Sequence, residues 1–141
     1  MKAIAFIFSF LFFTCAYAQK NTKDLVGYFQ GAEKNSIFKF YKSGEKYIGK
    51  LVWMKRPERK DTMNPDVSKR TRKILGSVVV YGFVFDGKNT WKDGYVYDAN
   101  KGKTYQGIIT QDEKGNLTMR GFVGVPILGK SEYFVKVNFK E

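Results

Sequence analysis

The chain has 141 residues, 43% of them hydrophobic and 17% aromatic, with 25 Lys and Arg against 13 Asp and Glu, one cysteine and no histidine. That length suits a single domain of ordinary size. The lack of histidine excludes Ser-His-Asp and Cys-His catalysis, His-ligated zinc and imidazole acid–base chemistry near neutral pH, while a net charge of +12 favours anionic partners.

Residues 1–18 read as an N-terminal signal peptide. Lys2 supplies the positive start, and Ala3 to Phe13 is an apolar run of eleven, too short for the ~20 residues that a membrane-crossing helix needs. Ala16-Tyr17-Ala18 fits the small-x-small cleavage pattern, which places the cut between Ala18 and Gln19. A retained membrane anchor is the alternative, and Cys15 as an acylated residue fits poorly after Phe12-Phe13-Thr14. Cleavage leaves 24 basic against 13 acidic residues in 19–141 and removes Cys15, the one thiol. The expected location is therefore periplasmic or extracellular, yet no disulfide can brace the fold. It must rest on its hydrophobic core.

Residues 19–141 read as one β domain. Period-two patterning predicts strands at 26–30, 37–41, 46–53, 78–85, 91–97, 103–110, 117–123 and 132–139. The separators Lys42-Ser43-Gly44-Glu45, Asp86-Gly87-Lys88-Asn89, 98–102 and 112–116 place Gly beside Asp, Asn or Ser, as tight turns require. In the last strand the alternation puts Tyr133, Val135, Val137 and Phe139 on one face and Glu132, Lys136 and Asn138 on the other. The strand from Val78 is apolar on both faces and is expected to be covered on both. Between 55 and 76 runs a long polar connection in which Asp66 is placed to N-cap a short helix over Val67–Lys73. The pattern as a whole predicts an all-β fold: a single antiparallel β-barrel of about eight strands with one long basic loop or short helix, with an open sandwich as runner-up. An outer-membrane barrel is disfavoured because Lys39, Lys50, Lys92 and Lys136 interrupt any lipid-facing band.

Several blocks carry a resemblance. Asp61-Thr62-Met63-Asn64-Pro65-Asp66, Arg70-Thr71-Arg72-Lys73-Ile74-Leu75-Gly76, Trp91-Lys92-Asp93-Gly94-Tyr95-Val96-Tyr97-Asp98, Gly102-Lys103-Thr104-Tyr105, Leu117 to Gly124 and Leu128-Gly129-Lys130-Ser131 are similar, in order, to the bacterial family catalogued as domain of unknown function 2147. Tyr28-Phe29 stands where that family usually has a Trp, and Phe134-Val135-Lys136 where an aromatic-x-basic pair is typical. The resemblance implies an exported, single-domain, lipocalin-like or calycin-like barrel. It carries over no activity and no cofactor.

The residues offer candidates rather than a reaction. Lys55, Arg56, Arg59, Lys60, Lys69, Arg70, Arg72 and Lys73 crowd one connection and suit an anionic lipid or envelope surface, with a solvated loop as the bland reading. Asn64-Pro65-Asp66 reads as a capped turn, or else, with Asp61, as oxygen ligands for a hard cation, although the spacing is not that of an EF-hand. Arg120, if inward, needs a partner such as Asp98, Asp66 or a ligand anion; outward solvent exposure is the bland reading. Trp53, Trp91, Tyr95, Tyr97 and Tyr105 line a cavity or simply fill the core. Ligand contacts are thus expected among Trp53, Asn64, Asp66, Arg70, Trp91, Tyr95, Asp98, Tyr105 and Arg120. No catalytic set, metal site, phosphate loop or carboxylate pair is recognisable. The leading expectation is non-enzymatic binding of a small or anionic ligand. A scaffold docking through 55–73 comes next, then an enzyme using carboxylates or Tyr. Nucleic acid is electrostatically permitted but unlikely for an exported chain, and the sequence does not specify the oligomeric state.

Overall fold

The computed structural model describes residues 24–141; the signal peptide expected at 1–18 lies outside the described residues. Eight antiparallel strands form one closed barrel: β1 (Gly27–Gly31), β2 (Ser36–Ser43), β3 (Lys46–Met54), β4 (Val78–Phe85), β5 (Thr90–Asp98), β6 (Lys103–Gln111), β7 (Leu117–Phe122) and β8 (Lys130–Val137). Each strand pairs with the next, and β8 closes on β1 through Phe29↔Lys136 and Gly31↔Phe134. Closure removes both sheet edges, which an open meander of this composition would have exposed.

The expected short helix is one 3-10 turn, Val67–Lys69. Asp66 does cap it, accepting the Ser68 amide at 3.1 Å. The turn stops early because the chain is needed elsewhere: the Arg72 carbonyl accepts the Asp61 amide, and Lys73 bridges Lys60. A second 3-10 turn, Pro126–Leu128, interrupts the β7–β8 connection.

Aromatic side chains and glycines fill the interior together. Leu25, Phe29, Phe40, Trp91, Ile109 and Leu117 are sealed within it. Phe83 lies across β5 and β6, where a Cβ on either Gly94 or Gly107 would overlap its ring. Gly49 in the same way makes room for Phe40 and Val80. Glycine in these strands is therefore where a large ring crosses the barrel axis.

The tertiary structure decides which face of β8 turns inward, and it corrects the expectation for β4. In β8 Phe134 is buried, while Tyr133 and Val135 are exposed. Register decides this, because Phe134 stands opposite the buried Leu117, and Glu132 opposite the buried Met119. In β4 both faces are buried only at Val79 and Val80; Tyr81, Val84 and Phe85 are exposed. Tyr81 instead stacks on Tyr95 along the outer wall, with ring centroids 5.7 Å apart.

Candidate functional site

The two ends of the barrel differ. At one end lie the connections 44–45, 86–89 and 112–116 together with the chain before β1 and after β8; these described segments hold three basic and six acidic residues. At the other end lie 32–35, 55–77, 99–102 and 123–129, with ten basic and four acidic residues. The described segments of the first end are thus net −3, which Lys20 and Lys23, preceding them in the sequence, reduce to −1, and the other end is net +6.

Toward the basic end the inward positions are less deeply buried. Val80, Phe83, Met119 and Phe134 are buried, whereas Phe38, Val96 and Tyr105 are half-buried. Val80, Val96 and Tyr105 stand in one row across β4, β5 and β6, Phe38 and Val96 pack against the core, and the strand ends add Asp98, Lys103 and Glu132. Lys103 holds its ammonium 5.4 Å from the Tyr105 ring centroid, and Asp98 lies across the strand pair from it. The mouth of the barrel at this end, its bowl, thus combines half-buried aromatic and aliphatic groups with a rim of mixed charge. Apolar walls with a few convergent polar groups are the usual make-up of a small-molecule site.

The long connection 55–77 is folded down beside this bowl by a buried latch. Asp61 is only 2% exposed. Its Oδ1 accepts from the Tyr97 hydroxyl at 2.7 Å and its Oδ2 from Asn64 Nδ2 at 2.7 Å, with Arg72 Nη2 at 3.9 Å. Asn64 in turn accepts the Asp66 amide on Oδ1 at 2.9 Å, and its carbonyl accepts Arg70 Nε at 2.7 Å. Burial, and then the bond to Asp61, push the Tyr97 hydroxyl up to about 12, so it remains a donor across the ordinary pH range. The loop rests on the β5–β6 turn at Gly102, where any Cβ would collide with the Met63 carbonyl. That glycine, at φ +62°, is required both by conformation and by contact.

The sequence-derived site residues therefore separate into groups. Asn64, Asp66 and Arg70 sit together in the loop and hold it in shape, with Asp66 exposed as a cap and its carboxyl held below the ordinary range by the Ser68 hydroxyl and amide. Asp98 and Tyr105 are at the bowl. Trp53, 37% exposed, stands at the end of β3 beyond the irregularity between Ile37 and Phe38. Trp91 is corrected: it is sealed at the acidic end against Tyr47 and Phe85. Tyr95 is corrected as well, since it belongs to the outer wall. Lys55, Arg56, Lys60, Lys69, Arg70, Arg72 and Lys73 are all exposed and Arg59 half-buried, so the basic connection does present its charge to solvent. Among the described residues no cluster of three or more carboxylates is placed to hold a metal ion.

Arg120 is the largest surprise. It does not meet Asp98 or Asp66. Its Nε donates to the Pro126 carbonyl at 2.7 Å, Nη1 to Ser131 Oγ at 2.9 Å and Nη2 to the Ile127 carbonyl at 3.2 Å. The guanidinium thereby fixes the β7–β8 connection while Ile127 and Leu128 project outward, 83% and 78% exposed. Sequence reasoning passed over these two residues. The available signal was that Val123-Gly124-Val125-Pro126-Ile127-Leu128 is a connection with no polar side chain. A separate shallow groove of about 310 Å³ runs on the outer wall between Lys50, Val52 and the tail Phe139–Glu141.

This geometry defines the class: a closed eight-stranded up-and-down barrel of the lipocalin kind. Residues 27–136 match the family described as an uncharacterized protein conserved in bacteria, domain of unknown function 2147, and the chain belongs to that family. Among solved structures it is similar to protein HP1028 from the human pathogen Helicobacter pylori, described as belonging to the lipocalin family. The TM-score is 0.74 at 23% identity, covering 82% of this chain and 84% of that one. That likeness concerns the fold. Curated protein sequences give no match.

Proposed function

We propose that the protein is an exported, non-enzymatic binding protein of the cell envelope, taking the apolar or aromatic part of a small anionic amphiphile in the bowl at its basic end. The observation that carries this reading is the half-burial of Phe38, Val96 and Tyr105 beside the buried core. Inward-facing apolar groups left partly wet at a barrel mouth gain free energy when a ligand covers them, at about 25 cal/mol per Å². The net charge of the surrounding connections favours an anionic head over a cationic one. The lipocalin-like architecture supports the same reading, as does the signal-like segment at 1–18.

Titration with anilinonaphthalene sulfonate, an anionic aromatic probe, followed by NMR tests it. Saturable shifts are expected at Phe38, Val96 and Tyr105 and none at Phe29 or Trp91. Perturbation confined to the outer wall, or no saturable binding, refutes the bowl as a site. Native mass spectrometry of protein taken from its own host's envelope then asks which small molecule it carries.

A further inference from the structure

We infer that the basic end docks on an anionic phospholipid bilayer, with Ile127 and Leu128 entering the interfacial layer and the 55–77 connection lying on the headgroups. The inference stands apart from any ligand in the bowl, because it rests on different residues.

Three features meet there. First, the β7–β8 connection presents Val123, Val125, Ile127 and Leu128 to solvent, and a continuous exposed apolar tip of this kind marks an interaction surface. Second, the tip is held rather than floppy. Arg120 spends three hydrogen bonds on it, the Gly129 amide donates to the Pro126 carbonyl at 3.0 Å, and Pro126 fixes the backbone in the turn. An apolar loop made only to connect two strands needs no such fixing. Third, the charge around it is predominantly positive, ten basic against four acidic residues in the connections of this end. The loop at 55–77 flanks the β5–β6 turn on one side, and the tip flanks the start of β6 on the other. Lys55, Arg56, Lys60 and Lys73 make no ion pair among the described residues, and Met63 and Val67 are exposed between them. The opposite end of the barrel lacks this excess of positive charge, so the charge gradient orients the molecule tip-first.

A bilayer suits this combination better than a folded partner. Apolar groups at a protruding tip need a medium that yields to them, and surrounding cations need a sheet of negative charge. Each basic residue near an anionic surface strengthens partition about fivefold, and burial of Ile127 and Leu128 contributes at least about tenfold each.

Flotation of the purified protein with vesicles tests the inference. Association is expected with phosphatidylglycerol–phosphatidylethanolamine vesicles, falling as salt rises, and little with pure phosphatidylcholine. Ile127→Ser/Leu128→Ser is expected to weaken association about a hundredfold with an unchanged melting temperature, because both side chains are already in water. Lys55→Gln/Arg56→Gln/Lys60→Gln/Lys73→Gln should weaken association and lower its salt dependence. An Ile127→Trp variant should show a blue-shifted emission on adding anionic vesicles. Equal binding to neutral vesicles, no binding, or full binding by the serine variant overturns the proposal. So does a solution dimer that dissociates in the serine variant without any vesicle binding, which would make the tip a contact between copies.

Discussion

Tyr97→Phe is the substitution that most directly tests how the basic loop is held. It removes one oxygen and leaves the ring, so the outer-wall packing is kept. Asp61, almost wholly buried, then retains Asn64 Nδ2 at 2.7 Å and Arg72 at 3.9 Å but loses the donor at 2.7 Å. A hydrogen bond to a charged group contributes about 1.5–3 kcal/mol, and leaving a buried acceptor short of a donor costs at the upper part of that range. Tyr97 is itself half-buried, so the lower part applies, and the loop-opening equilibrium should rise roughly tenfold to thirtyfold. Trypsin reads that opening directly, because Arg59, Lys60, Lys69, Arg70 and Arg72 all lie in the latched segment. When cleavage is slow relative to reclosing, its rate follows the population of the open form. We expect cleavage between residues 59 and 73 to accelerate by that factor, while the urea midpoint of the barrel moves little. Asp61→Ala should exceed it, since two donors then lose their acceptor, and the double variant should fall well short of additivity. An unchanged cleavage rate in Tyr97→Phe would refute the latch. Acceleration that merely tracks global unfolding would show that loop and barrel open as one unit.

Other outcomes follow from the same geometry. Gly94→Ala drives a Cβ into the Phe83 ring and should destabilise the barrel by about 1–3 kcal/mol or more; Phe83→Leu in that background should recover part of the loss, read as a urea-midpoint double-mutant cycle. The hydroxyl of Tyr97 sits at about 12 against the usual 10. The folded state therefore keeps its proton longer than the unfolded chain, so this contribution is complete below pH 10 and is lost as pH rises from 10 to 12. Alkaline hydrogen exchange should show the 55–77 amides losing protection in that window before the barrel core does. Of the two tryptophans, Trp91 should resist acrylamide and Trp53 should quench, measured in Trp53→Phe and Trp91→Phe; similar quenching of both would place Trp91 wrongly.

The strands and tight turns were legible because both signals are local. Alternation and Gly beside Asp or Asn act over a few residues, and all eight strands stand within about two residues of their expected bounds, as at Lys103–Gln111 and Leu117–Phe122. The cap at Asp66 was legible for the same reason. The face of β8 was not, because its two faces both carry apolar residues and only pairing with Leu117 and Met119 selects Phe134 for the interior. Trp91 and Tyr95 failed as site residues because the sequence shows that an aromatic ring sits in a strand but not at which height or on which wall. The partners of Arg120 were not legible because two of its acceptors are carbonyls six and seven residues away, and carbonyls leave no mark in a sequence.

What the amino-acid order settled unaided was the type of architecture and the excess of positive charge, since period-two burial and turn chemistry need no knowledge of distant contacts. Folding alone decided that the charge collects at one end, that Asp61 meets Tyr97 across 36 residues, and that an apolar tip is braced outward beside them. Those facts depend on the closure of β8 onto β1 and on which strand ends share a rim, relations between residues far apart along the chain.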